Sequence, residues 1–154
     1  MTIKQSSFNS DRFSAWRGFL RTYGQVLPIL EQEMQAAHNL PLTWYDVLVQ
    51  LKQAPSHALR LQDLADAIVL SQSGLTRLLD RMSEVGLVER KPCPKDRRGS
   101  LAQITDLGLA TLEKAAPVHL DGIERHFMRP LDEADITALD KAFAKILTAL
   151  KKGS

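Results

Sequence analysis

The sequence predicts a mainly α-helical protein with one small antiparallel β element (α+β), and three observations support this. Apolar residues recur alternately three and four apart over long stretches at both ends of the 154-residue chain. A helix with one polar face follows directly after a tight turn in the middle of the chain. Two short strand-like segments, 87–90 and 101–104, flank a basic loop that holds two prolines and a glycine.

The first predicted helix runs from about residue 11 to residue 39 and carries an apolar seam. Pro28 lies inside this seam and removes a backbone donor, so we expect a kink or a weak point there. Asn39-Leu40-Pro41 ends the helix. We expect Thr43 to cap the next helix, with Asp46 in the third position of a box-like start. The seam consists of Phe13, Trp16, Leu20, Tyr23, Leu27, Leu30 and Met34.

Two shorter helices follow, separated by a turn. The first spans roughly Gln62 to Ile68. The second is expected to begin with Ser71 as its N-cap and to run to about Val85, and Gly86 stands in the usual C-terminal position. Its apolar stripe is Leu75, Leu78, Leu79, Met82 and Val85, and its polar side is Gln72, Ser73, Thr76, Arg77, Asp80 and Glu84.

Two more helices close the chain. Thr105 is expected to cap a long helix that contains Pro117 and ends at Arg129-Pro130, and Asp132 is expected to cap the last helix. The terminal helices are too long and too apolar to be covered by so small a middle. A second copy of the chain is the economical partner, which gives a two-fold dimer whose seam is built from both ends.

The charge of the chain is local rather than general. The net charge is only +2, but seven basic and four acidic residues lie between Arg77 and Arg98, so the remainder of the chain is slightly acidic. No apolar run is long enough to span a membrane, and the first residues lack the apolar segment of a secretory signal. Cys93 is the single cysteine, so an internal disulfide is excluded and a reducing cytoplasm is expected.

The polar helix has the side chains that a base-reading helix needs. A helix fits the DNA major groove, and its N-terminal side chains meet the base edges. Gln72, Ser73 and Thr76 are adaptable donors and acceptors, and Arg77 is a long bidentate donor. A merely solvated surface helix can carry similar residues, so the polar face needs a second observation.

The basic loop Lys95–Gly99 supplies that observation. It holds Arg97 and Arg98 side by side, and arginine is favoured in narrow minor grooves because negative potential is focused there. Asp96 is expected to accept hydrogen bonds from a neighbouring arginine and from the loop backbone, which fixes the direction of the guanidinium group. Gly99 is expected to let the chain turn tightly. A polar helix followed by an arginine hairpin indicates binding to duplex DNA.

These features together resemble the MarR family of winged-helix transcription regulators. The resemblance rests on the helix-turn-helix, on Asp96-Arg97-Arg98-Gly99 and on Ile104-Thr105-Asp106-Leu107-Gly108, where the family more often has leucine at the position of Ile104. It covers nearly the whole chain. It implies a single domain of residues 1–154, with a winged helix-turn-helix DNA-binding lobe at 43–105 between long dimerisation helices at 11–39 and 106–152.

The resemblance also implies a mode of action. It implies a homodimer on a pseudo-palindromic operator, usually as a repressor, with residues 71–77 in the major groove and Arg98, oriented by Asp96, in the minor groove. Arg90, Lys91 and Lys95 are interpreted as general phosphate contacts or solvated charges. The candidate DNA-binding residues are Ser71, Gln72, Ser73, Thr76, Arg77, Lys95, Asp96, Arg97 and Arg98.

Members of the family often bind small aromatic or phenolic effectors, and the resemblance implies a similar pocket here. Aromatic residues at helical spacing are more often plain core, which is the preferred interpretation for Trp16 and Tyr23 taken singly. His38 could hydrogen-bond an anionic effector, although capping of its own helix is the simpler role. The candidate pocket residues are Trp16, Tyr23, His38, Trp44 and Tyr45.

Other classes of function find less support. No glycine-rich phosphate loop, nucleophile elbow or paired-histidine motif is present, so neither an enzyme nor a cofactor is expected. The four histidines lack close ligand spacing, so no metal is expected. Cys93 lies near two lysines, and nearby cations make a thiol more reactive. A bystander thiol is the preferred interpretation, and a redox-responsive regulator through Cys93 is an alternative. A winged helix used only for protein–protein contact is another, but it gives Arg97 and Arg98 no role.

Overall fold

The structure is a computed structural model that describes residues 11–71 and 73–153, without the side chains of Asp11, Arg12, Arg97 and Arg98. Within these residues the chain is mainly helical with a small antiparallel sheet, so the predicted fold class is confirmed. The helices are α1 (Asp11–His38), α2 (Leu42–Gln53), α3 (Leu61–Ala67), α4 (Leu75–Glu84), α5 (Asp106–Ile123) and α6 (Glu133–Lys152), and the strands are β1 (Ala58–Arg60), β2 (Val88–Cys93) and β3 (Asp96–Ile104).

The chain divides into two compact units, which we describe separately. The first unit contains residues 11–26 and 120–153, and the second contains residues 27–119. The second unit holds the core, because α2, α3, α4 and the sheet all direct their apolar residues into it. Its largest fully buried side chains are Met34, Leu48, Leu51, Leu64, Leu79, Met82, Val47 and Val88.

The sheet of the second unit has the strand order β1-β3-β2, with both pairs antiparallel. The β2–β3 hairpin agrees with the two strands predicted from the sequence, although both strands are longer than predicted. The strand β1, in which Ala58 pairs with Gln103 and Arg60 pairs with Leu101, was not predicted. A strand of three residues has too few alternating positions to show a periodicity.

The start of α2 differs from the prediction. Its N-cap is Pro41, which makes no side-chain capping bond, so the expected cap at Thr43 is wrong. The helix begins two residues earlier than such a cap requires. Glu31 of α1 takes the place of a capping side chain, because its carboxylate accepts a hydrogen bond of 2.8 Å from the backbone N–H of Leu42.

The start of α5 is as predicted and holds the helix against the rest of the second unit. The Thr105 hydroxyl accepts from the backbone N–H of Gly108 at 3.0 Å and donates to the carbonyl of Gly86 at 2.6 Å. Gly108 lies so close to the backbone at Leu87 that a Cβ atom there would overlap the Leu87 carbonyl oxygen and approach Ile104 Cγ1 to 2.7 Å. Only glycine fits this crossing.

The first unit consists of the start of α1, the end of the long fifth helix and all of α6. A π-helical segment, Glu124–Met128, follows α5 in this unit, while in the second unit helical structure continues through Pro28 in α1 and Pro117 in α5. The predicted cap of α6 is confirmed, since Asp132 and Asp135 form a reciprocal capping box. Phe19 lies 5.8 Å from Trp16 and 6.1 Å from Phe143 between ring centroids.

Candidate nucleic-acid interface

The helix α4 begins later than the sequence predicts. Its N-cap is Gly74, whose φ of 74° is left-handed, and the first helical residue is Leu75. A right-handed helix cannot include such a residue, so Ser71 is not the N-cap. Ser71 and Ser73 are exposed and precede the helix, while Gln72 lies outside the described residues. Of the predicted contacts before the hairpin, only Thr76 and Arg77 lie on the helix itself.

Thr76 and Arg77 are exposed in the first turn of α4. Both line an open groove, together with Gly74 and Leu75 on one side and residues of α3 on the other. The α3 side consists of Leu61, Gln62 and Ala65. The predicted polar surface is therefore accessible, and the starts of two successive helices border it.

The turn between α3 and α4 is held from another element. The Asp46 carboxylate, on α2, accepts hydrogen bonds from the backbone N–H groups of Val69 at 2.8 Å and Leu70 at 3.3 Å. The sequence analysis assigned Asp46 to the start of its own helix, which is wrong. No local pattern could have shown the true role, because the partners are 23 and 24 residues away.

The hairpin turns at residues 94–95, so Asp96–Gly99 belong to β3 rather than to the loop. Cys93 pairs with Asp96, whereas Pro92 pairs with Ser100, and this register shift leaves residues 97–99 without pairing positions on β2. The irregularity is a β-bulge, which bends a strand outward. It contains the predicted Arg97 and Arg98, whose side chains lie outside the described residues. Lys95 and Asp96 are exposed beside it.

Gly99 has a different role from the predicted one. It does not take a left-handed φ, unlike Gly74 and Gly86. A Cβ atom at position 99 would instead lie 3.1 Å from Cys93 Cβ, so the glycine allows the bulge to pack closely on β2. The bulge, rather than the turn, requires the small residue.

Arg90 is engaged within the protein, which the sequence analysis missed. Its Nη2 atom lies 2.8 Å from the Asp80 carboxylate and donates to the Thr76 carbonyl at 3.0 Å. Both partners are on α4, whereas Arg90 is on β2. Lys91 forms a longer and more exposed pair with Glu89 of the same strand, at 3.5 Å. Arg90 therefore differs from the general surface charges with which it was grouped.

Comparison with known proteins adds to this geometry. Residues 38–99 match the model of the MarR family. AbsC, a MarR family transcriptional regulator from Streptomyces coelicolor, is 36% identical, and its crystal structure matches with a TM-score of 0.83 over 93% of this chain and 97% of AbsC. This chain belongs to the MarR family of transcriptional regulators. The MarR resemblance inferred from the sequence is thereby confirmed, as is the expectation that the protein is not an enzyme, because the family is non-enzymatic.

Two further transcriptional regulators match much of the chain. Sco3205, a MarR family regulator from Streptomyces coelicolor whose crystal structure contains DNA, is 26% identical with a TM-score of 0.84 over 92% of each chain. The HTH-type transcriptional regulator PecS from Dickeya dadantii (strain 3937) is 30% identical over 111 residues. Those residues are 71% of this chain and 66%, just under two thirds, of PecS.

The five residues predicted for a MarR-type effector pocket are divided between the two units. Trp16 and Tyr23 are exposed in the first unit, at 56% and 49% of their surface. His38, Trp44 and Tyr45 are half-buried in the second unit. The pocket itself stays a prediction.

His119 joins the half-buried residues of the second unit and was not predicted to be near them. Its ring centroid lies 4.6 Å from that of Tyr45. Burial lowers the pKa of His119 from its ordinary value of 6.5 and raises the pKa of Tyr45. His119 Nδ1 and His38 Nε2 are buried without a hydrogen-bond partner among the described residues. A buried nitrogen atom without a hydrogen bond destabilises the folded protein. A polar ligand that formed a hydrogen bond to either nitrogen would therefore be stabilising.

Cys93 is buried, with 7% of its surface exposed. Oxidation requires access to the thiolate, so burial weakens the redox alternative. Across residues 11–71 and 73–153, no cluster of three or more histidine, cysteine or acidic residues has the geometry to hold a metal ion. The helices in the same ranges include none that is long and apolar enough to cross a membrane.

Proposed function

We propose that the protein acts in the cytoplasm as a homodimeric, sequence-specific DNA-binding repressor on a pseudo-palindromic operator. The observation that carries this proposal is the pairing of an exposed polar first turn of α4 with a bulged, arginine-containing hairpin. Both features lie in the same compact unit, and each alone would fit an ordinary solvated surface. Their combination suits duplex DNA, which offers a wide groove to a helix and a narrow groove to arginine.

The helix α4 is the recognition helix in this proposal. Thr76 and Arg77 would meet base edges in the major groove, because N-terminal residues of such helices lie deepest. Arg77 is the residue suited to guanine, since its guanidinium group can donate two parallel hydrogen bonds. Ser71, Gln72 and Ser73 precede the helix and would contact the phosphate backbone rather than bases.

The bulge of β3 would supply the contacts in the minor groove. Arg97 and Arg98 belong to this bulge, and Lys95 and Asp96 are exposed next to it. Arg98 would enter the groove, with Asp96 orienting its guanidinium group as the family resemblance implies. The neighbouring Lys95 would neutralise a phosphate.

The apolar surface of the first unit supports a homodimer. None of the α6 residues is buried in the single chain, and its apolar face includes Phe143, Leu147 and Leu150. Leu147 and Leu150 expose 58% and 63% of their surface. A helix face of this kind needs a partner, and a two-fold copy of the same face provides one.

Response to a small aromatic or phenolic effector is part of the same proposal. Repression would be relieved when the effector binds one dimer geometry better than the other. The half-buried His38, Tyr45 and His119 offer aromatic surface and unpaired nitrogen atoms for such a ligand. Trp16, Tyr23 and Trp44 remain candidates from the sequence.

Selection of bound sites from a random DNA pool tests the proposal, using the full chain at low ionic strength. We expect enriched sites with two-fold symmetry and half-sites about one helical turn (~34–36 Å) apart. The logarithm of the binding constant should fall linearly with the logarithm of the salt concentration. The slope should be about −0.9 for each phosphate that the protein neutralises. Failure to enrich any duplex, or enrichment of asymmetric sites only, would contradict the proposal.

Arg77→Ala is the variant that separates base reading from general attraction. We expect it to lose discrimination at one base pair of each half-site, by about 1–3 kcal/mol, because a bidentate base contact disappears. Lys91→Ala is the matched control, since it removes a charge from the same unit without changing α4. Equal loss of affinity on all sequences for Arg77→Ala would show that this residue contacts phosphate only.

A further inference from the structure

We propose that Arg90 is a positioning residue that sets the recognition helix relative to the hairpin, and that it does not contact DNA phosphate. The proposal rests on the proposed function, because it concerns how the two DNA-contacting elements are held together. The proposal also assigns a role to Asp80. Without this role, nothing would explain a negative charge on a helix that approaches DNA.

The contacts of Arg90 join β2 to α4, the helix that precedes it in the chain. Arg90 lies on β2, and its Nη2 atom reaches the Thr76 carbonyl at 3.0 Å and the Asp80 carboxylate at 2.8 Å. These two partners are four residues apart on α4, so they stand on one face of the helix, one turn from each other. A single guanidinium nitrogen therefore contacts two successive turns of α4.

The place of these contacts determines what they control. Thr76 is adjacent to Arg77, the exposed arginine of the first turn. On the other side, Arg90 is paired with Ala102 of β3, the strand that carries the bulge at residues 97–99. Arg90 thus links the first turn of the recognition helix to the strand pair that carries the wing arginines. A rotation of α4 about its axis would have to break both contacts.

The same contacts argue against a phosphate role. A charged hydrogen bond at 2.8 Å to a carboxylate already compensates the guanidinium charge. Both contacts occupy Nη2, so only the Nη1 and Nε donors of Arg90 remain for a phosphate. Its side chain is 30% exposed, less than that of Lys91 at 51%, which pairs only along its own strand at 3.5 Å. Lys91 is the better phosphate contact of the two.

Asp80→Asn gives opposite results for the two roles of Arg90. If Arg90 contacts phosphate and Asp80 merely competes for it, removal of the negative charge would free Arg90 and strengthen binding to all DNA. If Arg90 positions α4, the loss of the ion pair loosens the helix and weakens binding to the operator. We expect a weakening of about tenfold on the operator and a much smaller change on random duplex.

Arg90→Met and Arg90→Lys complete the series on the full chain. We expect Arg90→Met to weaken operator binding by about tenfold and to leave the salt slope unchanged. Loss of a phosphate contact would instead reduce the magnitude of the salt slope by about 0.9. Arg90→Lys retains the charge, but its ammonium group reaches one atom less far than Nη2, so we expect it to restore little of the operator affinity. The double variant Asp80→Asn/Arg90→Met should bind the operator no more weakly than Arg90→Met, because both substitutions break the same ion pair.

The neighbouring pair Glu89 and Lys91 provides the matched controls. Glu89→Gln should leave operator preference unchanged, and Lys91→Met should reduce affinity on all sequences equally. Thermal unfolding of each variant shows that it is folded, which we expect because ion pairs this exposed contribute about 0–1 kcal/mol. Tighter binding of Asp80→Asn to all DNA, or a reduced salt slope for Arg90→Met, would overturn the positioning role. Failure of the wild-type protein to bind any duplex would instead refute the proposed function.

Discussion

At the scale of single residues, His119 is a histidine for which the folded protein disfavours protonation. Burial lowers its pKa, and its Nδ1 atom has no hydrogen-bond partner among the described residues. The unfolded chain has no such burial, so it binds a proton more readily near the ordinary pKa of 6.5. Folding stability then depends on pH, because the two states hold different numbers of protons.

We expect the free energy of unfolding to be highest above pH 6.5 and to fall as the pH drops from 6.5 through the lowered pKa of folded His119. His119→Phe keeps an aromatic ring against Tyr45 and cannot be protonated, so it should remove this part of the pH dependence. Denaturant unfolding at about pH 7.5 and about pH 5.5 measures the effect. His57→Gln, at an exposed position, is the matched control for the loss of a histidine. An unchanged slope in His119→Phe would show that other groups cause the dependence.

At the scale of elements, the first turn of α5 lies against the backbone at Leu87, just before β2. Gly108 leaves no room for a Cβ atom beside the Leu87 carbonyl. Helix propensity alone would favour alanine at this position by about 0.5–1 kcal/mol. The overlap involves backbone that cannot rotate away, so the cost of crowding exceeds that gain.

Gly108→Ala should therefore destabilise the protein by about 1–3 kcal/mol, as expected for overpacking of a buried site. Gly18→Ala is the control, because nothing lies within 4 Å of a Cβ atom at position 18 and the same helix propensity applies. Urea unfolding of both variants gives the comparison. Equal stability of the two variants would mean that the first turn of α5 can move away from Leu87 without cost.

The helix starts show what the sequence could predict and what it could not. Thr105 and Asp132 cap helices through partners three residues away, and both caps were predicted from local pattern. Ser71 has the same pattern, but the left-handed Gly74 begins the helix instead. Glu31 and Asp46 serve helix starts and turns 11 and 23 residues distant, where no local signal exists.

The candidate site follows the same rule. The exposed polar positions of Thr76 and Arg77 on a helix agree with the sequence pattern, and their reading of bases stays a prediction. Arg90 was grouped with solvated charges because its partner Asp80 and the carbonyl at position 76 are 10 and 14 residues earlier in the chain. Such pairings depend on the fold, so they become visible only in the structure.

At the scale of the whole molecule, the exposed face of α6 sets the assembly that we propose. Its leucines lie on one side of the helix, and Lys145 lies on the opposite side. Burial of one leucine side chain stabilises an interface by about 1.5–3 kcal/mol. Two-fold symmetry doubles the effect of any substitution on this face.

Leu147→Glu should accordingly shift the protein from dimer to monomer. The tight binding of the dimer to a symmetric operator should be lost, while each monomer still binds a half-site weakly. Light scattering after size-exclusion chromatography measures the mass. Lys145→Glu places the same carboxylate on the opposite face of α6 and should leave the mass unchanged. A wild-type protein that remains monomeric at all concentrations would refute the dimer.

The hydrogen bond from Leu42 to Glu31 has a practical consequence for anyone who wishes to excise the lobe for binding studies. The segment that matches the family model begins at residue 38, downstream of this carboxylate. A truncation at that boundary would leave the backbone N–H of Leu42 without its acceptor and would also remove the buried Leu30 and Met34. The shortest fragment that retains its own stability must therefore start before the recognisable motif does.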